Sequence, residues 1–193
     1  MKVFGTGWQR TGTTSLSKAL NALGICTLDF PQQFLRDIDH EVVRQYDGFT
    51  DNPIPLLYQE LDRRHPGSKF VHTVRDDAEW LVSVKWLFEV GAIKFDWAKR
   101  EIIGEIHARL YGTTTFDPDR FLERYRRHNR EVLEYFAGRP QDLLVLDVSR
   151  GEGYEKLCPF LGREIPASPF PHWNKRENTL KVELRKVWRR LGS

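Results

Sequence analysis

Residues 3 to 24, VFGTGWQRTGTTSLSKALNALG, constrain this chain more than any other stretch. A short apolar strand runs into a loop bracketed by Gly7 and Gly12 and then into a helix whose Leu16, Ala19, Leu20 and Leu23 recur at helical spacing until Gly24. Thr13, Thr14 and Ser15 therefore open the helix, where outward-pointing amides and the positive end of the dipole favour an anion. The glycines let that anion approach the backbone closely. A chain beginning this way is expected to hold phosphate or sulfate at the end of its first strand.

The spacing of Gly7, Gly12 and Thr14 follows the nucleotide-binding pattern G-x-x-x-x-G-K-[ST], with Thr13 where the lysine would stand. Transfer of a γ-phosphoryl group calls on that lysine and a hydroxyl-bound magnesium to offset developing charge. The one cation in this loop is Arg10, whose fixed guanidinium with flanking hydroxyls suits a less charged group such as a sulfuryl.

The run Arg10-Thr11-Gly12-Thr13-Thr14 also resembles the 5′-phosphosulfate loop of the sulfotransferases that use 3′-phosphoadenosine 5′-phosphosulfate, within which this chain is most similar to small bacterial forms. Arg75, at the end of an apolar strand and followed by Asp76 and Asp77, has Ser83 eight residues beyond it. That spacing resembles the 3′-phosphate motif of the same family. Taken alone, such an arginine is also compatible with a surface ion pair. The resemblance implies cofactor contacts from Gly7, Arg10, Thr11, Gly12, Thr13, Thr14, Ser15, Arg75 and Ser83. Lys175 and Arg176 could close a basic loop over the 3′-phosphate, although the Arg-Lys-Gly form of many relatives is absent and a solvated helix start is the alternative.

Sulfuryl transfer to an alcohol or amine needs a base for the acceptor's proton. Better-known relatives place a histidine or glutamate just after a strand between the two anion motifs, which corresponds here to Thr50-Asp51-Asn52-Pro53. Asp51 is the candidate base, and equally a turn former ahead of Asn-Pro. His72 is expected to be a packed strand residue and His65, in Arg-Arg-His-Pro-Gly, to be solvated. Arg10 is expected to stabilise charge on the leaving phosphate as a second catalytic group.

Strand-like runs fall at 2–5, 25–28, 46–50, 69–75 and 142–147, with helical patterns at 13–23, 32–45, 54–64, 77–90, 96–110, 118–137, 153–162 and 177–190. This alternation predicts a three-layer α/β fold, a parallel sheet flanked by helices as in P-loop proteins, with residues 84–137 as a helical cap. At 193 residues, 40% hydrophobic, one domain over 1–193 is expected. The aromatic residues Trp80, Trp86, Phe88, Phe95, Trp97, Tyr111 and Phe116 would fill the cap's core or line an acceptor pocket.

With 30 basic and 27 acidic residues interspersed, the chain does not read as a nucleic-acid binder. Cys26 and Cys158 have no paired spacing, so neither disulfide nor zinc site is suggested. A strand beginning at Lys2 leaves no room for a leader peptide, and no apolar run approaches the roughly 18 residues of a membrane span, which points to the cytoplasm. The expected chemistry is sulfuryl transfer from 3′-phosphoadenosine 5′-phosphosulfate, leaving adenosine 3′,5′-bisphosphate, to a hydroxyl or amine on a small-molecule or carbohydrate acceptor, with no metal. Two alternatives stand beside it. One is a magnesium-dependent phosphotransferase, favoured by the strand Leu143-Leu144-Val145-Leu146 ending in Asp147; the other is a noncatalytic nucleotide-binding module.

Overall fold

The computed structural model describes residues 1–94, 96–97 and 100–172. Five strands form one parallel sheet: β1 (Val3–Gly5), β2 (Thr27–Asp29), β3 (Gly48–Thr50), β4 (Lys69–Thr73) and β5 (Leu143–Leu146), in the order β2-β3-β1-β4-β5. β1 is central, with Phe4 level with Phe49 on one side and Phe70 on the other. The chain leaves β1 toward β2 and later crosses from β3 to β4. A crevice therefore opens beyond the carboxyl ends of β1 and β4, the place where open α/β sheets receive ligands.

Side chains alternate across the strands and build two apolar layers. On one face, Val3 and Val71 pack under α1 (Thr13–Ala22) and α8 (Tyr154–Leu161) through Leu16, Leu20, Leu157 and Leu161. On the other, Phe4, Phe49 and Phe70 meet α3 (Ile54–Arg64) and the end of α7 (Pro118–Phe136) through Ile54, Leu61, Val132 and Phe136. A third cluster, with Trp8, Trp80, Tyr111 and Tyr125 at its centre, lies beyond the strand ends. It joins α4 (Asp77–Trp86), α6 (Glu101–Tyr111) and the start of α7 into the expected helical cap. Its stacking is close: Trp80 lies 4.1 Å from Tyr125 and Tyr111 lies 3.9 Å from Phe121, both nearly parallel.

The expected helix 32–45 is broken into a 3₁₀ turn at Gln32–Leu35 and the short α2 (Val42–Gln45). Asp37 accepts a hydrogen bond from the amide of Asp39 at 3.0 Å, a local turn that competes with continuing the helix. After α4 the chain makes a wider turn at Leu87–Gly91 before α5 (Ala92–Lys94). β5 is an edge strand separated from β1 by β4. The carboxylate of Asp147 caps the turn after it, accepting from the amides of Ser149 at 3.0 Å and Arg150 at 3.2 Å. The expected helix 177–190 and Lys175 and Arg176 lie outside the described residues. Among those described, no helix is long and apolar enough to cross a membrane.

Candidate functional site

The loop between β1 and α1 is fastened from several sides. Gly7 has no room for a side chain: a Cβ there would sit 2.0 Å from the Thr73 hydroxyl and 2.4 Å from its carbonyl oxygen. Thr11 bridges the same gap, its hydroxyl donating to the Trp8 carbonyl at 2.6 Å and lying 2.6 Å from that of Thr73. From α4, the Trp80 indole donates to the carbonyl of Gln9 at 3.1 Å. Gly12 closes the loop with φ 111°, a conformation that glycine adopts without strain. As the cap residue of α1 it offers no side-chain acceptor, and the helix has no acidic residue in its first turn. The helix itself therefore supplies neither a side-chain cap nor an acid of its own to answer its dipole.

Arg10 holds a left-handed backbone, φ 74°, that sends its side chain toward α4. Its Nε donates to the Ser83 hydroxyl at 2.9 Å, and its guanidinium lies 5.4 Å from the ring centre of Trp86. Burial and the nearby Arg75 hold its pKa below the usual arginine value, while Asp51 opposes them. Two cations therefore crowd one place.

Arg75 itself is fixed by its backbone. Its amide donates to the Tyr125 hydroxyl at 2.9 Å, and that hydroxyl donates in turn to the Arg75 carbonyl at 3.0 Å. Its guanidinium pairs with Glu79 at 3.1 Å, an exposed contact easily exchanged for another anion.

Asp51 follows β3 with φ 67° and accepts from the Asn52 amide at 2.8 Å. Its backbone carbonyl also accepts from the amide of Ile54 at the start of α3, so the turn-forming role is real. Some of the residue's surface is open to solvent, but its carboxyl group is surrounded by protein. Loss of hydration and the adjacent Asp29 push its pKa up to about 7, against opposing hydrogen bonds from Asn52 and Thr13 and the charge of Arg10. Asp29, at the end of β2, is likewise raised by burial, although it accepts from Thr50 at 2.8 Å and from Thr14. Two carboxyl groups thus share the first turn of α1 with its threonines.

Asn52 ties this turn to the loop: its Nδ2 donates to Gln9 Oε1 at 3.2 Å, and Gln9 Nε2 donates to the Tyr111 hydroxyl at 2.8 Å. Asp29, Asn52, Trp86 and Tyr125 are the residues of this site that the motifs missed. Asp29 alone carried a signal, an acid closing a strand whose end faces the loop.

The two histidines weighed as alternative bases, His72 and His65, form none of these contacts. His72 is buried in β4 between the Thr6 hydroxyl at 3.0 Å and the Asn129 carbonyl oxygen at 3.1 Å, as expected of a packed strand residue, and its pKa is lowered to about 3 by burial. His65 is not the solvated residue expected; it is half-buried, 5.8 Å from the ring of Phe4, with its Nε2 enclosed.

A family model described as a sulfotransferase domain matches residues 2–41 and 30–179. The chain belongs to that sulfotransferase family. The matched segments contain Arg10, Asp51, Arg75 and Ser83. The chain is also similar to a protein of Aspergillus versicolor called Ava biosynthesis cluster protein M, at 25% identity over 232 residues covering 98% of this chain and 87% of that one. Sulfotransferase membership agrees with the five-stranded parallel sheet and with a loop that has Thr13 at the lysine position and Arg10 as its cation.

Proposed function

We propose that this sulfotransferase moves a sulfuryl group from 3′-phosphoadenosine 5′-phosphosulfate to a hydroxyl or amine of a small-molecule or carbohydrate acceptor, without a metal. The observation that carries the reading is the 2.9 Å contact between Arg10 and Ser83, because it joins the two anion motifs at one place. The residues fit the donor. Uncapped amides at the start of α1 and the Arg10 guanidinium suit its 5′ end, and Arg75 with Ser83 suits its 3′-phosphate. Gly7, Thr11, Gly12, Thr13, Thr14 and Ser15 shape the first of these cradles, and Lys175 and Arg176 are assigned to the second.

The donor supplies an activated sulfur, so the chain's work is positioning, charge stabilisation and one proton transfer. Asp51 takes the acceptor's proton as the acceptor's oxygen or nitrogen bonds to sulfur. A pKa of about 7 leaves a fraction of it ionised near neutrality while keeping it basic enough to accept that proton. Arg10 meets the negative charge that collects as the bond from sulfur to the 5′-phosphate breaks. The domain is taken to span 1–193 and to work in the cytoplasm.

Thermal denaturation with ligands separates this from the alternatives. Adenosine 3′,5′-bisphosphate at a hundredfold excess over its dissociation constant should stabilise the chain by about 2.7 kcal/mol without magnesium. Stabilisation by ATP only when magnesium is present would instead favour phosphoryl transfer. Nucleotide binding with no transfer to any of a broad acceptor panel would favour a binding module.

A further inference from the structure

Gln9 stands in the anion loop one position before Arg10 and is 8% exposed. Its backbone is held from α4, where the Trp80 indole donates to its carbonyl at 3.1 Å. Its side chain makes two further connections. Oε1 accepts from Asn52 Nδ2 at 3.2 Å, and Nε2 donates to the Tyr111 hydroxyl at 2.8 Å, with His107 Nε2 a weaker partner at 3.4 Å. One amide thus joins the turn that carries Asp51 to α6 of the cap, across 43 positions of sequence on one side and 102 on the other.

Two observations separate this bridge from ordinary packing. Asn52, Tyr111 and His107 are as buried as Gln9, and enclosing polar side chains is costly unless each is bonded, whereas an apolar side chain of the same length would fill the space without that demand. Among the described residues, Gln9 is also the sole hydrogen-bonding partner of the Asn52 side chain, whose Oδ1 is enclosed with none. The backbone N–H of the same Asn52 donates to the Asp51 carboxylate at 2.8 Å, so a shift of Asn52 carries a donor of Asp51 with it. The bridge transmits placement and no charge. Burial lowers the His107 pKa to about 4 and keeps the Tyr111 phenol protonated, which leaves both neutral near pH 7. The charges facing Asp51 come from Asp29 on β2 and Arg10 in the loop, while Thr13 on α1 adds a hydrogen bond.

We propose that Gln9 is a positioning residue for the proton transfer: its amide, aimed by Tyr111 of the cap, holds Asn52 so that the Asn52 N–H stays on the Asp51 carboxylate. The inference rests on Asp51 as the base. Loss of the amide frees the Asn52 side chain and lengthens the bond from the Asn52 N–H, which weakens an interaction that favours the charged carboxylate. Asp51 then keeps its proton to higher pH. The far end of the bridge belongs to α6, so the seating of the cap and the placement of the base are linked through one side chain.

The test follows the carboxyl ¹³C signals of the labelled full chain against pH, with the Asp51 signal assigned by its loss in Asp51→Asn. Gln9→Met keeps the length of the side chain and removes both bonding atoms. It should raise the Asp51 titration midpoint by about half a pH unit or more. The dissociation constant for adenosine 3′,5′-bisphosphate should change by less than about threefold, because Trp80 still holds the Gln9 carbonyl. Asn52→Leu should raise the midpoint similarly, and the double variant should be no further displaced than the more affected single one, since both changes break the same link. If Gln9→Met loses its native spectrum, Tyr111→Phe, which removes one oxygen, should move the midpoint in the same direction. An unmoved midpoint in a folded variant, a midpoint that moves only together with a tenfold loss of bisphosphate affinity, or additive shifts in the double variant overturn the proposal. No readout needs turnover, so these failures are distinguishable from a failure of Asp51 as the base, which a nearly normal rate in Asp51→Asn would reveal.

Discussion

Arg10 and Ser83, 73 positions apart in sequence, are joined by a 2.9 Å hydrogen bond from Nε to the serine hydroxyl. That bond occupies the guanidinium's inner edge and leaves its two terminal nitrogens for an anion. Arg10→Ala should accordingly lower kcat by about 10²–10³-fold, the scale of losing one transition-state donor, while the dissociation constant for adenosine 3′,5′-bisphosphate changes much less. Single-turnover rates beside equilibrium titration make the comparison; a loss confined to affinity would count against the electrostatic role.

Asp51 gives the enzyme a pH signature. Its pKa in the folded chain is about 7, raised from an ordinary 3.8, so the folded state holds this proton more tightly than the unfolded one. The stability contributed by the neutral carboxyl is present in acid and is lost as pH rises through 7. If Asp51 is the base, the rate rises over the same interval. Asp51→Asn should abolish turnover, and its melting temperature relative to wild type should climb between about pH 4 and about pH 8. A nearly normal rate in a folded Asp51→Asn variant would remove it from the mechanism.

Asp29 affects that signature through charge. Replacing it with asparagine removes the carboxylate that helps hold Asp51 protonated, so the acid limb of the kcat profile should move below pH 7. The plateau rate at high pH should change less than the limb does. An unmoved limb would show that the two carboxyls do not communicate.

Tyr125 holds the Arg75 backbone with a hydroxyl that both accepts and donates. Tyr125→Phe keeps the stack on Trp80 but strips both bonds, and should cost about 1–3 kcal/mol in denaturant unfolding. Weaker nucleotide binding should accompany it if Arg75 serves the nucleotide. Gly7→Ala is the harsher change: a methyl group 2.0 Å from the Thr73 hydroxyl should cost about 3 kcal/mol through forced movement of β1 against β4.

Much of this was legible in the chain because local and global signals agreed. Four of the five strands fall within the expected runs and β2 ends one residue beyond its own, while Arg75 follows its strand and Ser83 lies on the next helix, as expected. The helix expected at 32–45 failed because apolar periodicity does not register Asp37 bonding its own backbone neighbourhood. The strand Leu-Leu-Val-Leu ending in Asp147 is the support for the phosphotransferase alternative, and the apolar run does not announce that this carboxylate accepts from the amides of Ser149 and Arg150. Asp29 carried only the weak signal of an acid closing a strand, and Asn52 and Tyr125 carried none. Their roles arise from contacts between β2, β3, α7 and the loop, separations that no motif spans.

The central claim is that one nucleotide reaches from Arg10 to Arg75, and comparing the affinities of adenosine 3′,5′-bisphosphate and adenosine 5′-monophosphate tests it most directly. Calorimetric titration without magnesium should show the bisphosphate binding at least about tenfold more tightly, as expected for one added charge-assisted contact. In Arg75→Ala that preference should vanish, with the monophosphate bound as before. Equal affinities in the wild-type protein, or a preference that survives in Arg75→Ala, would contradict the account.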